Sequence, residues 1–156
     1  MKDNVFGDLQ VVGWRECVSI PDLGIKRIKA KIDTGALSSS LHAYDIEILD
    51  HLESQEVKFK IQPLQKNRSL VIQAQVPIFD FRKVRSSNGQ TTVRPVIRTQ
   101  IKIFGQIHEA DVTLFDRAKM GFRMLIGREA LRDKFVVDPS RSYCAGKPKK
   151  KKKNKA

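Results

Sequence analysis

The sequence predicts an all-β fold, mainly β with one short helix near the C-terminal end, arranged as a small barrel. Three observations lead there. Apolar residues recur at two-residue spacing in many short segments, the period of strands with one buried face. Clusters of Gly, Asn, Asp and Pro separate those segments. Only residues 128–134 carry helical spacing, and that stretch is short.

In order along the chain, residues 10–18 form the first expected strand, closed by a turn at Pro21-Asp22-Leu23-Gly24. Residues 25–32 alternate, with Ile28, Ala30 and Ile32 on one face and Lys29 and Lys31 on the other. Residues 41–49, 57–61 and 70–78 are further strand candidates. Ser87-Asn88-Gly89 predicts a hairpin with a type I′ turn, because Asn-Gly readily takes positive φ, and its arms fall at 81–86 and 91–98. Residues 100–104 and 108–115 predict a second hairpin across Gly105. There is no internal repeat. Many short strands followed by one helix suit a small β-barrel.

The chain has 156 residues, the size of one domain, enough to bury a core without disulfides or metal. Its composition, 40% hydrophobic and 30% charged, is that of a globular chain. No run reaches the roughly 18 apolar residues that a membrane span needs. No apolar segment follows Met1-Lys2-Asp3-Asn4, so no secretory signal is expected. Cys17 and Cys144 lie far apart and read as two reduced thiols in a cytoplasmic protein. The net charge is +13, and seven of the lysines fall in residues 147–156, which hold no acid; residues 1–146 carry +6. A block of like charges repels itself, so 147–156 is expected to be a disordered lysine-rich tail after a domain at 9–146. The tail is either a solubilising terminus or a nonspecific contact to RNA, ribosome or anionic membrane.

The chemistry-bearing segment is Lys31-Ile32-Asp33-Thr34-Gly35-Ala36. Asp33 directly follows an alternating strand, where a side chain reaches a cleft. Gly35 permits a tight turn, the Thr34 hydroxyl can brace it, and Ala36 is small enough to pack beneath. The plain alternative is an aspartate that only caps a turn. Far downstream, Met124-Leu125-Ile126-Gly127-Arg128 is an apolar run that ends in Gly and opens the helix.

Asp-Thr-Gly-Ala paired with a late apolar-apolar-Gly-Arg segment resembles the retropepsins. A longer resemblance runs from about Val12 to Tyr143. Its motifs are Gly13-Trp14-Arg15-Glu16, Pro21-Asp22-Leu23-Gly24-Ile25, Ala30-Lys31-Ile32-Asp33-Thr34-Gly35-Ala36, Leu41-His42-Ala43, Arg94-Pro95-Val96-Ile97, Lys119-Met120-Gly121-Phe122-Arg123 continuing to Arg128, and Val137-Asp138-Pro139-Ser140-Arg141-Ser142-Tyr143. These resemble a bacterial and archaeal family once named as ATP-dependent zinc proteases and now grouped with retropepsin-like aspartic peptidases. Some members occur beside ATP-grasp amino-acid ligases, and one is similar in role to an aspartic peptidase that trims glutamate tails added by such a ligase to a ribosomal protein. Leu37 departs from the pattern, since relatives often carry a basic residue after Asp-Thr-Gly-Ala.

The resemblance implies a retropepsin-like acid-protease β-barrel that acts as a homodimer. Aspartic peptidases hold one water between two carboxylates that share a proton; the ionised member activates the water and the protonated one polarises the scissile carbonyl. The chain has one Asp-Thr-Gly, so the second Asp33 would come from a two-fold-related copy. For a monomer, Asp111 or Asp138 would be the alternative second carboxylate. No cofactor is called for.

Residues 81–108 contain no acid and hold Arg82, Lys83, Arg85, Arg94, Arg98 and Lys102. If the Asn88-Gly89 hairpin is the flap that the resemblance implies, its arms are cationic and suit an acidic, glutamate-rich substrate. A merely solvated basic face is the alternative. Arg85 and Arg94 are the preferred substrate contacts, with Ala36, Asn88 and Pro95 beside them. Ile126, Gly127 and Arg128 are assigned to structure near the site, Arg128 holding either the dimer or the turn after Gly127 by pairing with a carboxylate.

Zinc catalysis finds no motif: His-Glu-x-x-His and Cys-x-x-Cys are absent, and His42, His51 and His108 are scattered, with His42 expected to be structural. No Walker-type phosphate loop is present, so ATP would enter through a partner ligase. Two function classes result: a dimeric aspartic peptidase acting on acidic tails, and a catalytically silent basic β-barrel that binds an acidic or ribosomal partner.

Overall fold

The computed structural model describes residues 7–86, 88–116 and 121–146. Its strands are β1 (Gln10–Val12), β2 (Arg15–Ile20), β3 (Ile25–Ile32), β4 (Ser39–His42), β5 (Tyr44–Asp50), β6 (Gln55–Ile61), β7 (Ile72–Pro77), β8 (Asp80–Arg85), β9 (Thr91–Ile103), β10 (Gln106–Phe115), β11 (Met124–Ile126) and β12 (Phe135–Val137). One helix, α1 (Arg128–Leu131), follows β11. The mainly β class with a single short late helix is as the sequence predicts. The lysine-rich residues 147–156, Ser87, and Lys119 and Met120 of the family motif lie outside the described residues.

The main sheet has the order β10-β4-β11-β3-β2-β9-β8, with β9 also paired to β10. A second sheet is β5-β6-β7, and β1 pairs in parallel with β12. The expected closed barrel is not what forms. β2 and β9 pair at a single position, Ser19 with Lys102, and β5 joins a separate three-stranded sheet rather than the main one.

Two expected strands break for identifiable reasons. The 10–18 segment divides at Gly13-Trp14, where the backbone passes against Arg141: the Trp14 N–H donates to the Arg141 carbonyl at 2.9 Å, and a Cβ on Gly13 would lie 2.3 Å from that oxygen. The 41–49 segment divides at Ala43, because the His42 and Ala43 N–H groups donate to the Arg123 and Phe115 carbonyls. Tyr44 then opens the other sheet, and Asp45, at φ 50°, lies in the irregularity that follows it. The helix is shorter than residues 128–134, since Asp133 takes φ 65° and the chain re-enters a strand at Phe135.

The hairpins also differ from expectation. Ile103 pairs with Gln106 across Phe104 and Gly105, both at positive φ (54° and 72°), the signature of a two-residue type I′ turn. The Asn88-Gly89 hairpin is not of that type. Ser86 N–H donates to the Gln90 carbonyl, the Ser86 carbonyl accepts from Gly89, and only Gly89 (φ 85°) of the pair is left-handed. The Asn88 Oδ1 accepts from the Gln90 N–H at 3.1 Å, which favours this wider loop. β9 serves both hairpins as one 13-residue strand.

The core follows the alternation. Ile28, Ala30 and Ile32 of β3 pack with Leu41, Val112, Leu114 and Met124, while Val57, Phe59 and Ile61 bring the second sheet onto them. Each such fully buried aliphatic or aromatic side chain stabilises by about 1.5–3 kcal/mol.

Candidate active site

β11 lies between β3 and β4, parallel to the first (Ile126 beside Ile32) and antiparallel to the second (Met124 beside Leu41). The two chain ends leaving β3 and β11 are thereby fixed side by side, and the Asp33 turn is built where they diverge. The Asp33 N–H donates to the Ile126 carbonyl at 2.9 Å, continuing the ladder by one residue. The turn closes on itself: the Gly35 N–H donates to the Asp33 Oδ1 at 3.0 Å and the Ala36 N–H to the Asp33 carbonyl at 3.3 Å. Asp33 is half-buried, and Thr34 and Gly35 are exposed.

The segment after Ile126 grips the turn from the other side. The Arg128 N–H donates to the Ala36 carbonyl at 2.8 Å and the Glu129 N–H to the Leu37 carbonyl at 3.0 Å. The Gly127 N–H donates to the Ser39 Oγ at 3.1 Å. Gly127 must be glycine for a steric reason: a Cβ there would lie 2.5 Å from the Ser38 carbonyl oxygen. Arg128 reaches back so that its Nη1 donates to the Thr34 carbonyl at 2.9 Å. Its partner is therefore a backbone carbonyl rather than the expected carboxylate, because α1 begins at Arg128 and aims the side chain across the turn.

The β8–β9 hairpin docks on this loop through Arg82, whose Nη1 donates to the Ser38 Oγ at 2.6 Å and pairs with Glu129 at 3.3 Å. Ser38, Ser39 and Glu129 were not singled out from the sequence, and Arg82 was counted only among the cations of the hairpin. The run of serines after Leu37 was the available signal, since buried hydroxyls beside a catalytic-type turn must find partners. Of the expected substrate contacts, Arg85 and Asn88 are exposed on the hairpin. Pro95 is buried, and Arg94 is only 2% exposed: its Nε donates to the Thr92 Oγ1 at 3.0 Å and its guanidinium lies 3.9 Å over the Phe115 ring. Burial thus takes Arg94 into the hairpin's inner packing. Leu37, 47% exposed, stands at the rim of the turn.

Asp111 and Asp138 are engaged elsewhere. Asp111 pairs with Arg98 at 2.8 Å, and the Ser140 hydroxyl and N–H hold the Asp138 carboxyl below the usual carboxylate range. His42 is buried on β4, stacked on Tyr44, and burial followed by the charge of Arg123 lowers its pKa while Asp116 opposes. His51 pairs with Glu56, and His108 packs edge-on against Phe135. Among the described residues no group of three or more His, Cys, Asp or Glu is placed to hold a metal ion. No helix among them is long and apolar enough to cross a membrane.

Residues 11–148 match the family model described as RimB-like, "Retropepsin-like aspartic endopeptidase RimB". The chain belongs to this family. A RimB-like chain is also similar to longer proteins named "Probable alpha-L-glutamate ligase": one from Shewanella pealeana is 39% identical over 146 residues, covering 94% of this chain and 31% of that protein. One from Parasynechococcus marenigrum is 41% identical over 136 residues, covering 87% and 29%. The chain thus spans about a third of the length of the curated relatives it matches. A solved structure from Legionella pneumophila, described as a DUF785 protein of unknown function, superposes with a TM-score of 0.71 at 25% identity, covering 86% of this chain and 97% of that one.

Proposed function

We propose that residues 9–146 form an aspartic peptidase domain in which two copies of Asp33, brought together across the two-fold axis of a homodimer, activate one water to hydrolyse a peptide or isopeptide bond in an acidic, glutamate-rich tail. The observation that carries the reading is the Asp33 turn itself. Its carboxylate is held by a single N–H donor, and its backbone is fixed from β11, Gly127 and Arg128. The exposed cations Lys83 and Arg85 on the hairpin and Lys31 beside the turn favour an acidic substrate. The names of the relatives support a functional link to an ATP-dependent amino-acid ligase, which supplies glutamate tails of the kind removed here.

The second reading, a silent basic module, is separated by one experiment. Asp33→Asn is assayed on a peptide with a polyglutamate tail, together with light scattering of the wild type. Cleavage falls by about 10²–10⁴-fold or more on loss of the acid–base group, and the active species has the mass of a dimer. Unchanged cleavage in Asp33→Asn sinks the mechanism, and an active monomer sinks the shared pair.

A further inference from the structure

Alternation along β8 sends its cations to opposite faces. Lys83 and Arg85 stand with Phe81 on the outer side of the hairpin, all three exposed, while Arg82 turns the other way, toward the loop that leaves the Asp33 turn. There its Nη1 donates to the Ser38 Oγ at 2.6 Å and to the two Glu129 carboxylate oxygens at 3.3 and 3.5 Å. Glu129 is seated on the same loop by its own N–H, which donates to the Leu37 carbonyl. Arg94, the cross-strand neighbour of Arg82, is taken up in packing on Phe115 and Thr92.

Two features separate Arg82 from the other cations of the hairpin. All its hydrogen bonds use one nitrogen. Among the described residues its Nε and Nη2 have no partner, and that pair is the edge that grips a carboxylate bidentately, as Arg98 grips Asp111 at 2.8 and 3.3 Å. The second feature is the Glu129 contact. One nitrogen shared between two oxygens beyond about 3.2 Å lies at the weak end of hydrogen-bond geometry. The two side chains keep 25% and 34% of their surface exposed, and such an ion pair contributes little. Ser38 therefore fixes the guanidinium, and Glu129 is the partner it can exchange.

We infer that Arg82 is the residue that reads a substrate carboxylate, and that Glu129 holds its guanidinium as an internal competitor until an acidic tail arrives. This role rests on the acidic-tail reading proposed above and names the contact that selects the tail. Lys83 and Arg85 raise the local concentration of an acidic chain, whereas Arg82 touches it. Ser38 is five residues beyond Asp33, so the two Cα atoms lie at most about 18 Å apart. An extended tail of about five residues reaches from a bond held at Asp33 to a glutamate held at Arg82. The open edge also selects glutamate over glutamine, because an amide would turn N–H donors toward a guanidinium that has only donors.

Binding is measured by the fluorescence anisotropy of a fluorescein-labelled hexaglutamate peptide added to the full chain carrying Asp33→Asn. A further Arg82→Gln is expected to weaken binding about tenfold or more, through loss of a charged two-point contact. Arg85→Gln removes the same charge from the outer face and is expected to change affinity by less than about threefold. Glu129→Gln releases the guanidinium and is expected to tighten binding by about threefold. A strut that merely held the hairpin down would respond in the opposite direction, since breaking it from either end loosens the same contact. The inference is overturned if Arg82→Gln and Arg85→Gln weaken binding equally, if Glu129→Gln fails to tighten it, or if hexaglutamate does not bind. Cleavage is scored separately. Hydrolysis that survives Asp33→Asn removes the aspartic mechanism and leaves the Arg82 result standing, while unchanged affinity in Arg82→Gln removes this inference and leaves the chemistry at Asp33 standing.

Discussion

Two carboxylates in this molecule meet opposite fates. Glu16 is fully buried and takes three backbone donors: the Gly13 N–H at 2.7 Å and the Cys144 and Ala145 N–H groups at 2.9 Å. It ties the entry of the chain to its last described segment, and its bonding capacity is used up in doing so. Asp33 is half-buried and takes one donor, Gly35, and its other oxygen has no hydrogen bond among the described residues. One carboxylate is closed into a seam and the other is held open on a turn. What distinguishes them is how many lone pairs the backbone claims, and that predicts where each substitution is felt.

The largest effect falls on the seam. Glu16→Ala strands three N–H groups around a buried carboxylate at about 1–3 kcal/mol each, so stability in urea unfolding drops by about 3–9 kcal/mol, a large share of a domain's total. Asp33→Ala strands one exposed donor and changes stability by about 0.5 kcal/mol or less while abolishing cleavage. Equal stability losses in the two variants would break the contrast.

Each region also has a glycine where one backbone crosses another. A Cβ at Gly13 would press on Arg141, and a Cβ at Gly127 on Ser38 and Ala36. Gly13→Ala and Gly127→Ala should each lower stability by about 1–3 kcal/mol through overpacking. Only Gly127→Ala displaces the loop whose Ala36 carbonyl anchors Arg128, so only it should reduce cleavage of a polyglutamate-tailed peptide beyond its effect on the folded fraction. Matching activity losses in the two alanine variants would show that the turn is not separately held.

These contrasts were unequally legible in the sequence. Asp33-Thr34-Gly35 and the Ile126-Gly127-Arg128 segment could be read because local pattern dictates them: an alternating strand, a turn, an apolar run ending in glycine. The grip between them could not, since Arg128 reaching the Thr34 carbonyl and Arg82 reaching Ser38 depend on tertiary approach. Glu16 was read only as part of a family motif, because two of its three donors come from residues 128 and 129 positions further along. Asn88-Gly89 signalled a hairpin correctly but the wrong turn. The type I′ geometry went to Phe104-Gly105, where propensity is weak and strand register decides. The closed barrel failed for a similar reason, since nothing local marks Ala43 as the point where the chain leaves one sheet for another.

The smallest effect joins the two regions. A cavity of about 20 Å³ separates them, lined by Val12 and Phe135 from the seam side and by Ile32 and Ile126 from beneath the turn. His108 borders it with a buried Nε2 that has no hydrogen-bond partner, and burial, then the charge of Lys134, holds its pKa below the usual imidazole range. The unfolded chain titrates near about 6.5, so below that pH it binds a proton that the folded chain refuses. The stability contributed by neutral His108 is therefore present in full above about pH 6.5 and is lost as pH falls toward the depressed folded value. His42 is shifted the same way, so His108→Leu should flatten the fall in urea stability between pH 7 and 5 without removing it. An unchanged slope would take His108 out of the account. On the proposed mechanism a proton shared between two carboxylates favours mild acid, the range in which His108 of the unfolded chain takes up its proton and the folded state loses stability. On that argument His108→Leu also carries cleavage to lower pH than the wild type sustains, by slowing loss of the folded enzyme rather than by altering the chemistry at Asp33.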